Sequence, residues 1–361
     1  MKLAVLGLTL SSSWGNGHAT TYRALLKAFA ARGHEVVFLE RDVPWYAAHR
    51  DCPAPDWCEL RFYQSLDELE RMASDVSSAD AVIVGSFVPQ GVAAGRFAQA
   101  HARGPCCFYD IDTPVTLAKL ERGDEEYLSA DLIPGYDIYF SFTGGPTLRR
   151  LETEFGAPSA RALYCCVDTA LYRRADGPVR WDLSYLGTYS PDRQPGLDRL
   201  LLDVARRHPE WSFAVAGPQY PAGIDWPANV ERLEHLPPGR HAAFYSASRC
   251  TLNLTRADMV LAGWSPSVRL FEAGACAVPI VSDRWAGIET FFMPGEEICL
   301  VDDAGGVERA LAGDLRRLGA AARERVLAEH SAGRRAAQLE ADLFRAAGNR
   351  GRLTMENVAD V

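Results

Sequence analysis

The chain has 361 residues, of which 48% are hydrophobic and 24% charged, with a formal net charge of −9. That length exceeds what one hydrophobic core usually serves, so two domains are expected. Acidic and basic residues alternate along the chain rather than forming blocks, which argues against a basic face for nucleic acid or an anionic membrane surface.

Short apolar runs alternate with helix-period segments throughout, the pattern of parallel sheets covered by helices. In the first half strands are expected near 2–8, 35–39, 81–85, 106–110, 138–142 and 162–165, with helices over 20–32, 91–103 and 146–155 between them. The second half repeats the scheme, with strands near 183–186, 213–216, 230–233, 251–254, 279–281 and 298–301. Two doubly wound α/β domains follow, Rossmann-like and facing a cleft. The polar stretch Arg173 to Pro178 is the natural linker. The expected division is 1–172, 173–335, and a C-terminal helix and tail over 336–361 that has the option of crossing back to the first domain. The residues from Gly348 onward read as frayed or loosely docked.

The nine cysteines include the neighbours Cys106-Cys107 and Cys165-Cys166 and form no CxxC, so neither a disulfide framework nor a zinc site is suggested. Met1-Lys2 leads straight into the run LAVLGL without the h-region of a signal peptide, and no window approaches the roughly 20 apolar residues of a membrane span. A reducing cytoplasm is the expected location.

In open α/β sheets ligands bind beyond the carboxyl ends of the strands, so the loops after strands are the places to look. After the first strand comes SSSWGNGHATTYR, in which Gly15 and Gly17, either side of Asn16, let the backbone turn tightly before a helix whose free amides suit an anion or polar ligand. The nearest generic motif is the dinucleotide fingerprint, with Glu40 as its acidic residue, but the loop is too long and the third glycine position is Thr20. His18 beside the turn suits a base or a substrate hydrogen bond, and equally helix capping or packing. Asp110 and Asp112 in FYDIDTP end another strand. Asp112-Thr113-Pro114 reads as a helix N-cap, which makes Asp110 the better functional candidate of the two. Gly144-Gly145-Pro146 allows close backbone approach to a ligand, or is a plain turn. In YLGTYSPDR a strand ends at Gly187, followed by Tyr189 and by Arg193 just before a helix. That arginine is placed to hold a diphosphate or to pair with Asp192.

The segment SPSVRLFEAGACAVPIVSD, from Ser265 through Ser267, Arg269 and Glu272, puts a carboxylate in a largely apolar helix that leads into a buried strand. An isolated charge there is costly, so Glu272 needs Arg269, a backbone donor or a ligand hydroxyl as partner.

Together these pieces resemble a GT-B glycosyltransferase, specifically the CgeB-like branch related to retaining glycosyltransferase family 4. The resemblance runs over about residues 2–330. SVRLFEAGACAVPIVSD is similar to that family's LLEAMACGTPVIASD-type segment, which implies that Glu272 holds the nucleotide ribose. LYCCVDTALY resembles the junction between the two domains. LSYLGTYSPDR resembles the loop whose basic residue meets the donor diphosphate, implying Arg193, with Arg269 as a second phosphate candidate. GNGH corresponds to the glycine loop near the transferred sugar. Trp264 stands where family 4 has a second glutamate, and the usual glycine-rich turn is reduced to Gly287-Ile288-Glu289, with Glu289 left as a candidate for donor-sugar hydroxyls.

The expected function is transfer of a sugar from a nucleotide-diphosphate sugar, the co-substrate, to a small-molecule or glycan acceptor, with His18, Asp110 and Asp112 as catalytic candidates. Neither a metal nor a further cofactor is expected, since Asp110-Ile111-Asp112 lies away from the nucleotide site. A GT-B sugar-nucleotide epimerase and a non-catalytic CgeB-like coat or assembly protein are the alternatives. Epimerisation of a nucleotide sugar without acceptor would favour the former. Failure of every nucleotide sugar to raise the melting temperature would favour the latter. Donor base, sugar, acceptor, stereochemical outcome and oligomeric state stay open.

Overall fold

A computed structural model describes residues 1–15 and 17–359. Asn16, one of the glycine-loop candidates, lies outside the described residues. The chain divides into two compact units, one formed by Met1–Cys165 with the C-terminal helix Ala332–Ala359 and the other by Cys166–Ser331. The division falls just ahead of the boundary drawn at residue 172 from the polar linker.

The first unit holds seven parallel strands: β1 Lys2–Gly7, β2 Glu35–Arg41, β3 Glu59–Tyr63, β4 Ala81–Gly85, β5 Cys106–Asp110, β6 Ile138–Ser141 and β7 Ala160–Ala162, in the order β3-β2-β1-β4-β5-β6-β7. The central strands are buried at every residue, as VIVG in β4 and CCFYD in β5. A parallel sheet covered on both faces requires such runs. The strand β3, ELRFY, was not expected from the sequence. It is an edge strand whose charged residues stay partly exposed, so it lacks the apolar run of its neighbours. The C-terminal helix lies against the helix His18–Ala30, and Glu340 on it meets Arg32 and His34 of the same unit. Its backbone continues as helix to Ala359, where a frayed tail was expected from Gly348 onward.

The second unit holds six parallel strands: β8 Trp181–Leu186, β9 Phe213–Ala216, β10 Val230–Leu233, β11 Ser248–Asn253, β12 Ile280–Ser282 and β13 Cys299–Leu300, ordered β10-β9-β8-β11-β12-β13. Each sheet therefore has the doubly wound order that reverses direction beside its first strand, at β1/β4 and at β8/β11. Beyond the carboxyl ends of those pairs lie the two crevices where such sheets take ligands. The second core is built on Leu183, Leu200, Leu201, Phe213, Val215, Leu252 and Val281, all buried.

All nine cysteines are free thiols and six are buried, as small hydrophobes in apolar strands and helices are. Among the described residues no helix is long and apolar enough to cross a membrane.

Candidate functional site

At the β8/β11 crevice the strand ends bring together residues far apart in sequence. Arg269 sits in the first turn of the helix Val268–Ala275 and is buried, and its guanidinium spans the two strand ends. Nε donates to the Leu186 carbonyl, and Nη1 donates to Asn253 Oδ1 at 3.0 Å. The planar group lies over the Tyr185 ring, 5.1 Å from its centroid. Asn253 Oδ1 also accepts from Ser267 Oγ at 2.7 Å, and its amide donates to Ser282 Oγ at 2.9 Å. Arg269 is thus held as part of a polar floor. Its Nη2 faces Gly187, where a Cβ would stand 3.0 Å from Nη2 and 2.6 Å from Tyr185 Oη. Glycine at 187 is what lets the chain run this close to the guanidinium.

Arg193 stands on the loop that follows β8. Its Nη2 donates to the Thr188 carbonyl at 2.6 Å, and its buried Nε has no hydrogen-bond partner among the described residues. Burial depresses its pKa, and the like charge of Arg269 adds to that. The expected alternative, a pair with Asp192, is reduced to a through-space attraction, with no salt bridge between the two among the described residues. Asp192 accepts from Ser190 Oγ and the Ala257 amide and faces Arg256 at 3.9 Å. Tyr220 donates to the Gly187 carbonyl at 3.2 Å, and its hydroxyl feels the charges of Arg193, Arg232 and Arg269 together. Arg232 stacks on Tyr220 and Trp226, with centroid distances of 4.2 and 4.6 Å, and donates to the Val215 and Gly217 carbonyls at the end of β9. Tyr189 packs edge-on against Tyr220 at 5.5 Å. Two guanidinium groups that form no salt bridge among the described residues, beyond the end of β8, make a site for an anion.

Glu272 shares its helix with Arg269 but does not pair with it. The carboxylate is 4% exposed and turns toward the helix His241–Ser246, where Tyr245 Oη donates to Oε2 at 3.1 Å and His241 Nδ1 stands 3.9 Å away. Tyr172 lies beside them, its hydroxyl 3.1 Å from His241 Nδ1, and burial together with Glu272 pushes its pKa well up. Ser265 is buried. Trp264 has φ +44° and lays its indole against Gly287, where a Cβ would stand 2.5 Å from the ring. Glu289 is exposed on a separate surface pocket of about 440 Å³, with Arg284 and Trp285.

In the first unit the two aspartates lie in different surroundings. Asp110 is fully buried, accepting from Tyr139 Oη at 2.5 Å, Thr116 Oγ1 at 2.8 Å and the Asp112 amide at 3.2 Å. Burial raises its pKa to about 6. Asp112 begins the helix Thr113–Glu121, but its side chain makes no capping bond. It is half-buried and close enough to His18 to act on its charge. His18 is the first residue of its helix and is 7% exposed, edge-on to Phe87 at 5.3 Å, with a buried Nδ1 that has no partner among the described residues. Burial lowers its pKa against the opposing pull of Asp112. Gly15 takes φ +66°, and nothing presses on Gly15 or Gly17. Gly144 is pressed against Tyr164, where a Cβ would stand 1.9 Å from the hydroxyl, and Gly145, at φ +58°, opens the helix Pro146–Thr153. That pair reads as packing and turn.

Glu40 is the residue whose placement removes the dinucleotide alternative. Its buried carboxylate takes the Leu10 amide at 2.6 Å, the Ser11 amide at 2.9 Å, Ser11 Oγ at 2.6 Å and Thr9 Oγ1 at 2.9 Å. It is fully engaged in holding the loop after β1 and has no acceptor capacity left for a ribose. Tyr185, Tyr220, Arg232, Asn253, Tyr172, His241 and Tyr245 were not among the residues expected from the sequence. Position at or after the end of a strand was the available signal for Tyr185, Tyr220 and Asn253, Tyr172 closes the junction segment LYCCVDTALY, and Arg232, His241 and Tyr245 carried none. No cluster of three metal-ligating side chains occurs among the described residues.

A family model described as glycosyl transferase-like matches residues 193–341. No curated protein matches the chain in sequence. Solved structures align over nearly all of it. Sucrose-phosphate synthase from Thermosynechococcus elongatus is 15% identical with a TM-score of 0.67, covering 100% of each chain. Anabaena HepE, solved with UDP-glucose, is 12% identical with a TM-score of 0.70, covering 96% of this chain and 100% of that one. An alpha-glucosyltransferase solved with UDP-glucose and DNA is 14% identical with a TM-score of 0.71, covering 96% and 99%. The chain shares with them the GT-B fold of two parallel-sheet, Rossmann-like domains.

Proposed function

We propose that the chain is a glycosyltransferase that takes a nucleotide-diphosphate sugar on its second unit and passes the sugar to an acceptor held by the first. The observation that carries this reading is the pair Arg193 and Arg269 beyond the end of β8, the first half-buried and the second buried, neither in a salt bridge with a carboxylate among the described residues. A diphosphate supplies the anion such a pair calls for. As the bond from sugar to diphosphate breaks, negative charge grows on the leaving group, and fixed guanidinium groups stabilise it without reorganisation. Glu272 is the group we assign to the ribose hydroxyls. The motif around it favours the CgeB-like branch related to family 4. The fold's likeness to proteins solved with UDP-glucose supports a nucleotide-sugar donor.

On the acceptor side His18 is the residue best suited to accept a proton. Its lowered pKa keeps the ring neutral at pH 7, and Asp112 would stabilise the imidazolium once formed. Asp110 is walled in by Tyr139 and Thr116 and serves the fold.

The test is a melting-temperature panel with UDP, GDP, ADP, dTDP and their sugars, repeated on Arg193→Met and Glu272→Ala. One nucleotide should raise the melting temperature of the parent chain and do so far less in each variant. A chain that none of these ligands stabilises would remove the reading.

A further inference from the structure

We propose that Tyr245, backed by the Tyr172–His241 pair, is a positioning residue that fixes the plane of the Glu272 carboxylate for the ribose hydroxyls. The proposal rests on the assignment of Glu272 to the donor ribose. The torsion that turns a glutamate's carboxylate is soft and roughly two-fold, so a carboxylate without an anchor samples many planes. Tyr245 supplies the anchor: it is fully buried, and its hydroxyl donates to Glu272 Oε2 at 3.1 Å.

The neighbouring groups are tied to partners of their own as well as standing beside Glu272. His241 Nε2 lies 3.0 Å from the Leu236 carbonyl, which can only accept, so Nε2 carries a proton. The Tyr172 hydroxyl stands 3.1 Å from Nδ1 on the other side of the ring and also within hydrogen-bond reach of Glu272. Tyr172 therefore holds His241, and with it the start of the helix that carries Tyr245. Arg269, three positions earlier than Glu272, turns Nε and Nη1 to Leu186 and Asn253, away from Glu272. An ionised carboxylate has about four acceptor sites. The Tyr245 hydroxyl, with Tyr172 also within hydrogen-bond reach, leaves room for the two O–H donors of a ribose diol while deciding where they must lie.

The test compares affinities for the nucleoside diphosphate that stabilises the chain most in the panel and for its 2′,3′-dideoxy counterpart, by titration calorimetry. The parent chain should prefer the ribonucleotide by about tenfold or more, the worth of hydrogen bonds to a charged group. Glu272→Ala should bring that ratio near one. Tyr245→Phe should lower the ratio about three- to tenfold while leaving dideoxynucleotide affinity within about twofold, because only the part of binding that passes through Glu272 is affected. A merely structural lesion would weaken both ligands alike. If Tyr245→Phe does not fold, Tyr172→Phe carries the same readout with a smaller fall in ratio. A full ratio in the folded tyrosine variant, alongside a collapsed ratio in Glu272→Ala, overturns the positioning role alone. A ratio that Glu272→Ala does not change overturns the ribose assignment and the positioning role together.

Discussion

Replacing Arg193 by methionine separates a binding arginine from a structural one. Methionine keeps most of the apolar stem and removes the charge. In the free chain the guanidinium makes one bond, to the Thr188 carbonyl, leaves Nε buried without a partner, and stands near the like charge of Arg269. Losing that bond costs about 1.5–3 kcal/mol, as for hydrogen bonds to charged groups. Removing a half-buried charge returns part of its desolvation cost, about the same size, so the two nearly cancel. Unfolding by urea should therefore show a stability within about 1 kcal/mol of the parent. Against a diphosphate the account differs, because one or two charge-assisted bonds of about 1.5–3 kcal/mol each disappear with nothing to offset them. At 1.4 kcal/mol per tenfold, calorimetric Kd values should rise about 10- to 150-fold for the loss of one such bond. A variant that loses about 3 kcal/mol or more of stability yet binds nucleotide like the parent would show that Arg193 serves the fold, and the anion site would lose its main support.

Three further outcomes follow from the same geometry. Asp110 has its pKa raised to about 6 by burial, so its contribution to stability is fully present below the unfolded value near 4 and is lost as pH rises through 6. By linkage the parent should lose up to about 3 kcal/mol relative to Asp110→Asn between pH 4 and 7. Urea midpoints that differ by a constant amount across that range would contradict this. Glu40→Ala strands four donors around the loop after β1 and should cost about 3 kcal/mol or more, read by urea unfolding and by new proteolysis within residues 9–15. Nucleotide affinity should not change, and a loss of affinity would revive a ribose role for Glu40. Gly187→Ala places a Cβ 2.6 Å from Tyr185 Oη and 3.0 Å from Arg269 Nη2, so the floor of the anion site must shift. About 1–3 kcal/mol of overpacking cost is expected, with nucleotide binding weakened at least tenfold in the same calorimetric assay. Undisturbed binding would mean that the arginine floor tolerates movement.

The amino-acid sequence by itself determined the class of fold and most of its strands, because a strand buried on both faces must be apolar throughout and such runs announce themselves. VIVG at 82–85 and FAVA at 213–216 are legible in this way. The edge strand ELRFY is not, since its half-exposed position accepts charges. The carboxylate in an apolar helix and the arginine after a strand were likewise visible, because a charge in such a place needs a reason.

Which partner each charge meets was decided by tertiary structure alone. Arg269 and Glu272 lie three residues apart on one helix, close enough for a salt bridge by spacing, yet one faces the β8 and β11 ends and the other faces Tyr245. Asp110 and Asp112 differ by two residues, and only packing against Tyr139 and Thr116 buries the first and leaves the second beside His18. Strand order has the same origin. Local sequence sets which segments are strands, whereas the crevices at β1/β4 and β8/β11 arise from long-range pairing, in which residues distant along the chain exchange hydrogen bonds that no local pattern encodes.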